Sequence, residues 1–509
     1  MRRAYDAWLP DQTPRMPQTP DHSITALRER HGARYRWLLL LSVMLGTMAS
    51  VMSSTIVNVA IPDMSHHFAL GQERAQWVTS GFMAAMTVSM LTTPWLLARY
   101  GYRRTYLGCM WLLLGGGIAG GLAQHYPLVL AARVAEGLAA GVVQPIPAII
   151  ILRAFEPQEQ GRASGIFGMG VVLAPALGPS IGGLLVDAFG WRSIFFMVVP
   201  FCLASFWMAQ RFVPTSAPGG AAANPQGAAL DWRGLLLASG GTLCLLNGLV
   251  ELKGGPLAVA ATLLGAAALA LTGFVVLQRR MLLARRRHPE HGVDPLLNLS
   301  LFRERRFAMG SIVAFIYGTA LFGSTYLLPV YMQMGLGLSA SFVGTILLPA
   351  GLVLAVSIAL VGRLSDRQPA HRLVSLGLLL LASSFALMPL IEAADRTRTL
   401  TLLVSWAILG RIGLGFILPS LNVGAMRGLE RAQIPQGASA INFLRMLGGA
   451  AGVSLCGIVL EWRLSAHGAS LGAAGIGPGR TAAFNETFVM LAALCALALL
   501  AAWRMRARH

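Results

Sequence analysis

Apolar residues along this chain come in blocks of about twenty, with little alternation inside a block and short polar or arginine-bearing breaks between blocks. A helix that is apolar on every face over that length suits a bilayer, because about 20 such residues cross the hydrocarbon core. The pattern predicts fourteen spans, near 37–57, 76–97, 106–124, 128–152, 163–186, 193–213, 234–251, 257–277, 308–331, 341–361, 372–391, 399–423, 436–459 and 484–503. Residues 1–34 are polar and hold no apolar core, so they read as a tail and not as a signal peptide.

Composition narrows the class further. The 509 residues are 55% hydrophobic and only 12% charged, about half the charged share of a soluble protein. The net charge of +19 rests on a single lysine, Lys253, and 39 arginines. In a soluble chain such a balance would suggest nucleic acid; here the spacing of the arginines explains it. With the N-terminus inside, 27 arginines fall in cytoplasmic segments, against six arginines and Lys253 outside. A missed span would scramble that bias, so it supports the count and places both termini in the cytoplasm. No nucleic-acid partner is expected; the lipid bilayer is.

Catalytic signals are missing. The five cysteines (Cys109, Cys202, Cys244, Cys456 and Cys495) sit in apolar stretches without metal or disulfide spacing. No phosphate-binding G-x-x-x-x-G-K-[ST], nucleophile elbow or H-E-x-x-H occurs. The chain is therefore not expected to be an enzyme, to hold a metal, or to use a cofactor. His66 and His67, adjacent in the first external loop, are expected to be solvated.

One stretch organises the rest. Residues 163–200 carry Gly165, Gly168, Gly170, Gly178, Gly182 and Gly183, with Pro175 and Pro179. Water would not tolerate a helix so interrupted, but in lipid neighbouring helices support it, and small residues let a second backbone come close. The run from Gly170 to Gly183, G-x-x-x-x-A-P-x-x-G-P-x-x-G-G, resembles the antiporter signature in the fifth span of major facilitator superfamily exporters. Trp191 to Phe196 with Pro200 resembles the start of the sixth span in their fourteen-span drug/proton branch (EmrB/QacA type). The Pro/Gly/Ala linker over 214–232 and the basic loop over 279–306 enclose two spans, like the two extra helices of that branch.

The resemblance implies an all-α integral membrane protein with the major facilitator fold, two six-helix bundles plus two extra central helices. The corresponding division is a tail over 1–36, a first bundle over 37–213, a linker region over 214–307, a second bundle over 308–504 and a tail over 505–509. The halves echo one another. Pro94-x-Leu96-x-Ala98-Arg99-x-Gly101, with Arg103 and Arg104 following, matches Gly362-x-Leu364-x-Asp366-Arg367. Arg133-x-x-x-Gly137 matches Arg411-x-x-x-Gly415. Repeats of this kind place a substrate site between the halves. The first loop has Ala98 where the family has Asp, so the second copy is expected to be the better conformational latch. For Asp366 the plain alternative is an ion pair with Arg367.

Two departures from the family concern coupling. Ser53-Ser54-Thr55-Ile56-Val57-Asn58 resembles a first-span signature that begins with a carboxylate, and Ser53 stands in its place. The fourth-span Arg133 is usually followed by Gln where this chain has Glu136. One carboxylate is missing and another has appeared. Two readings stay open: Glu136 carries the proton, with burial and Arg133 acting on it in opposite senses, or the two form a fixed pair that never titrates. Ser53, Asn58, Gln144, Tyr326, Arg411 and Arg445 are candidates to line the cavity, with interhelical hydrogen bonding as the alternative for the polar ones. Trp77, Phe82, Tyr317, Phe322, Tyr326 and Tyr331 could form an aromatic wall or simply pack.

The resemblance implies secondary active export of small amphipathic or cationic compounds, driven by proton antiport across the bacterial inner membrane. It leaves room for a periplasmic adaptor and an outer-membrane channel. A dedicated metabolite exporter and a proton-independent or symport carrier are the nearest alternatives. A membrane sensor or scaffold is the alternative from another class, and binding without flux would favour it.

Overall fold

The computed structural model describes residues 23–70, 72–216, 223–224, 229–252, 255–287, 293–391, 396–469 and 477–506. Lys253 and most of the 214–232 linker lie outside the described residues. The helices in chain order are α1 (Ile24–His31), α2 (Tyr35–His67), α3 (Gln72–Ser89), α4 (Thr93–Gly121), α5 (Tyr126–Val143), α6 (Ile146–Ala154), α7 (Gln160–Phe189) and α8 (Ser193–Phe212). Then follow α9 (Trp232–Glu251), α10 (Leu257–Arg287), α11 (Arg305–Val330), α12 (Ala340–Ser365), α13 (Ala370–Leu387), α14 (Arg396–Gly424), α15 (Ile434–Ala466) and α16 (Pro478–Arg504). No strand occurs among the described residues.

Each expected span falls on helix, and among the described residues twelve helical segments are long and apolar enough to cross a membrane. The difference from fourteen arises in two places. Trp77–Gly121 is counted as one segment of 45 residues, which would reach about 67 Å if straight, roughly twice a bilayer core. It is not straight. Gly101 has φ 79° and ψ 172°, a conformation open to glycine, and the chain turns there. The second difference is α7, which is not among the twelve although it runs for 30 residues. Pro175, Gly178 and Pro179 lie within it, with their side chains outside the described residues.

The helices gather into two groups. In the first, α2 packs on α7 and α8, α4 on α5 and α8, and α3 on α5. In the second, α11 packs on α15 and α16, α13 on α14 and α16, and α12 on α14. Glycine sets the closest approaches, as membrane packing requires. A Cβ at Gly448 would lie 2.0 Å from the Phe315 carbonyl oxygen, and one at Gly141 2.1 Å from that of Met86. Between the groups, α9 and α10 pack chiefly on each other, with an edge against α3 and α15. Buried Asp231 caps α9 through the Gly234 N–H (2.8 Å) and accepts from Gln278 Nε2 on α10 (2.6 Å). Gln278 Oε1 in turn accepts the Leu297 N–H (3.2 Å), which ties the pair to the approach to α11.

Contacts between the two groups collect at one face, the arginine-rich one. Ser439 Oγ on α15 donates to the Met90 carbonyl, and Arg153 to that of Arg431. There α7 meets α12 almost backbone to backbone: a Cβ at Gly165 would lie 2.7 Å from the Gly362 Cα.

Candidate functional site

The most deeply buried charges among the described residues are those of Arg133 and Glu136, one turn apart on α5, both essentially inaccessible to solvent. Spacing of three puts them on one helical face, and α2 and α3 close over them. Arg133 Nη1 donates to Glu136 Oε2 at 2.5 Å and to Ser53 Oγ at 2.7 Å. Ser53 Oγ donates to the same Glu136 oxygen at 3.0 Å. Arg133 Nε reaches the Val78 carbonyl on α3 (3.3 Å), and its guanidinium lies 4.2 Å from the centre of the Phe82 ring. Pair, hydroxyl and ring thus join α2, α3 and α5. Glu136 Oε1 and Arg133 Nη2 are buried with no hydrogen-bond partner in the protein, so one oxygen of the carboxylate is held and the other is free.

This geometry explains the two departures read in the sequence. Ser53 occupies the helix position of the expected first-span carboxylate, and the Glu136 carboxylate reaches its hydroxyl from the neighbouring helix. The acidic group of this cluster lies beside α2 and is carried by α5.

Other expected site residues separate. Gln144, at the break between α5 and α6, lines a pocket of about 40 Å³ between the groups, together with Asn422, Asn442 and Arg445. Arg445 donates to Asn442 Oδ1 at 2.7 Å. Asn58 accepts from Thr79 Oγ1 (3.0 Å), exposed, just over one turn beyond Ser53 on α2. Arg411 sits midway along α14, and Tyr326, half-buried on α11, is not in the pocket lining. The aromatic wall does not form as a unit: Phe82 supports Arg133, Tyr331 packs on Phe484 and Phe488, and Phe322 covers Gly449.

The two repeated loops also part. Asp366 does not pair with Arg367, which is exposed. Its carboxylate accepts the N–H groups of Gly161 (2.6 Å) and Arg162 (2.9 Å), at the start of α7. Helix N-termini hold anions in this way. Burial raises the Asp366 pKa above the usual carboxylate range, against the two N–H bonds and the Arg427 charge. In the first half the linker covers the loop: Tyr102 N–H donates to the Thr215 carbonyl (3.2 Å) and Asn224 N–H to that of Ala98 (2.9 Å). A Cβ at Gly101 would come within 2.4 Å of the Thr215 oxygen. Nearby, Thr105 Oγ1 donates to the Leu96 carbonyl (3.1 Å), Arg99 stacks on Trp95, and Arg103 is half-buried. In α7, Gly170 admits the Met44 thioether and Gly182 the Ile56 side chain, while a Cβ at Gly183 would just touch the Val59 side chain at 4.0 Å. Neither the Ser53 bridge nor the Gly161 and Arg162 N–H donors to Asp366 have a local sequence signal, since each joins helices far apart in the chain.

A chain of membrane-crossing helices in two groups, with buried charges and a polar pocket between them, defines a small-molecule carrier and not an enzyme. It belongs to the Major Facilitator Superfamily, whose model matches residues 43–453. Among curated relatives, the multidrug resistance protein B homolog of Mycobacterium tuberculosis is 28% identical over 82% of this chain and 75% of its own length. The tetracenomycin C resistance and export protein of Streptomyces glaucescens is also 28% identical, over 84% of this chain and 76% of its own. Among solved structures, the proton:xylose symporter XylE superposes with a TM-score of 0.63 at 12% identity, covering 92% of this chain and 95% of that one. That likeness concerns the fold.

Proposed function

We propose that this carrier is a multidrug exporter that expels small amphipathic compounds in exchange for protons, with Glu136 as the proton-carrying group. The observation that carries the coupling is the buried Arg133–Glu136–Ser53 cluster, in which a carboxylate bridges α2 and α5 and keeps one oxygen free. A proton arriving at that oxygen would neutralise the carboxylate and loosen its hold on Arg133, and so change the contacts that join α2, α3 and α5. Relatives named for multidrug resistance and drug export support the substrate class.

The proposed topology has fourteen crossings: the twelve apolar segments with Trp77–Gly121 taken as two, together with α7. Both termini face the cytoplasm of a bacterial inner membrane. In that orientation the contacts between the halves close the cytoplasmic side. Asp366 on the start of α7 is the latch that holds it, and rocking of the halves alternates access. In a cell with two membranes, a periplasmic adaptor and outer-membrane channel would continue the route; cross-linking and co-purification from whole cells tests that extension.

The test of coupling is dye flux in inverted vesicles under an imposed pH gradient, comparing the native chain with Glu136→Gln. Gradient-driven flux should vanish in the variant while dye binding persists. Unchanged flux and pH dependence in the variant would remove Glu136 as the carrier.

A further inference from the structure

The second half holds two arginines within its spans, Arg411 and Arg445, that have no ion-pair partner among the described residues. Arg411 repeats the position of Arg133, but three residues on it has Leu414 where the first half has Glu136. Arg445 meets the Asn442 amide oxygen, and neither arginine forms an ion pair among the described residues. Both lie well inside their helices yet keep part of their surface open. Arg411 lies earlier on α14 than Asn422 and is not among the residues that line the pocket. Arg445 opens into the pocket between the halves, where the remaining polar lining is amide and hydroxyl. Two carboxylates are buried among the described residues, Glu136 and Asp231, and each is engaged at its own site.

Charges inside a span are costly and mark a ligand path by default. Here the Arg133–Glu136 pair is neutral as a unit, so Arg411 and Arg445 set the sign of the space between the halves. Guanidinium groups present a planar fork that matches a carboxylate, sulfonate or phosphate. A cationic substrate would meet two like charges, which selects against it.

We propose that the substrate is an acidic amphiphile, an organic carboxylate, sulfonate or phosphate whose anionic group sits against Arg445, with the amides of Asn422 and Gln144 beside it and the charge of Arg411, earlier on α14, drawing it in. The inference rests on reading the space between the halves as the transport route, and it narrows the amphipathic-or-cationic expectation to acids. The pocket of about 40 Å³ is room for the anionic head alone, so the apolar body lies outside it.

The experiment is binding by the purified full chain of two dansyl probes with the same alkyl chain, one ending in carboxylate and one in trimethylammonium. The acid should bind at least tenfold more tightly. Arg445→Gln should weaken acid binding about tenfold or more, the loss expected for a charge-assisted hydrogen bond, Arg411→Gln should weaken it through the loss of its charge, and Arg445→Lys should restore part of the Arg445 loss. Equal or tighter binding of the ammonium probe by the native chain overturns the proposal, and that comparison decides the matter even if a variant fails to fold. Flux of both probes from proteoliposomes separates this proposal from the exporter reading. Acid binding without flux keeps the site and removes the exporter; ammonium flux without acid binding keeps the exporter and removes the site.

Discussion

The two halves of this carrier place an arginine at the same position of the same repeat and treat it in opposite ways. Arg133 on α5 has a carboxylate one turn away, a hydroxyl across the interface and an aromatic ring beneath it. Arg411 on α14 has Leu414 one turn away and no ion pair among the described residues. Yet the frames agree: Gly137 lets α5 close on α3, and Gly415 lets α14 close on α12. A shared scaffold therefore carries a closed charge pair in one half and an open charge in the other. The closed pair suits a group that changes protonation within the protein, and the open charge suits one completed by a ligand.

The comparison is broken most severely by removing one member of the closed pair. Arg133→Met leaves Glu136 buried without a counter-ion, and should cost roughly 3–5 kcal/mol of stability. Thermal unfolding in detergent should show the drop, with Arg133→Met/Glu136→Gln recovering a good part of it. Full stability in the single variant would mean that the pair holds nothing together. Copying the pair into the second half sharpens the contrast: Leu414→Glu supplies Arg411 with the partner it lacks. Acid-probe binding should then fall about tenfold, because the charge that draws the acid in is neutralised, while the protein remains folded by size-exclusion profile.

The latch differs between the halves as well, and its variants should have smaller effects. Asp366→Asn weakens the hold on the Gly161 and Arg162 N–H groups and should shift the balance of conformations by about 1–3 kcal/mol away from the arrangement with α7 on α12. Cysteine accessibility along α7 reads that shift; an unchanged labelling pattern would deny Asp366 the role. Ser53→Ala should be mildest, about 1 kcal/mol, because Arg133 and Glu136 still hold each other. Its coupled flux should survive, slowed, whereas Glu136→Gln should lose it.

The sequence by itself determined the membrane class, the helix order and the repeat. These follow from local rules: apolar length decides a span, and matching motifs in the two halves mark the repeat. It also marked Glu136 and Arg133 as a pair, since spacing on one helix fixes their nearness. Only the tertiary structure decided the rest. That Ser53 bridges the pair, that Asp366 caps α7 and ignores its neighbour Arg367, and that the linker lies over Gly101 are contacts between segments 80 to 205 residues apart in the first two cases and more than 110 in the third. No periodicity records such distances. The open charge of Arg411 was legible as a residue but not as a vacancy, because a missing partner is defined only once every neighbouring helix is in place.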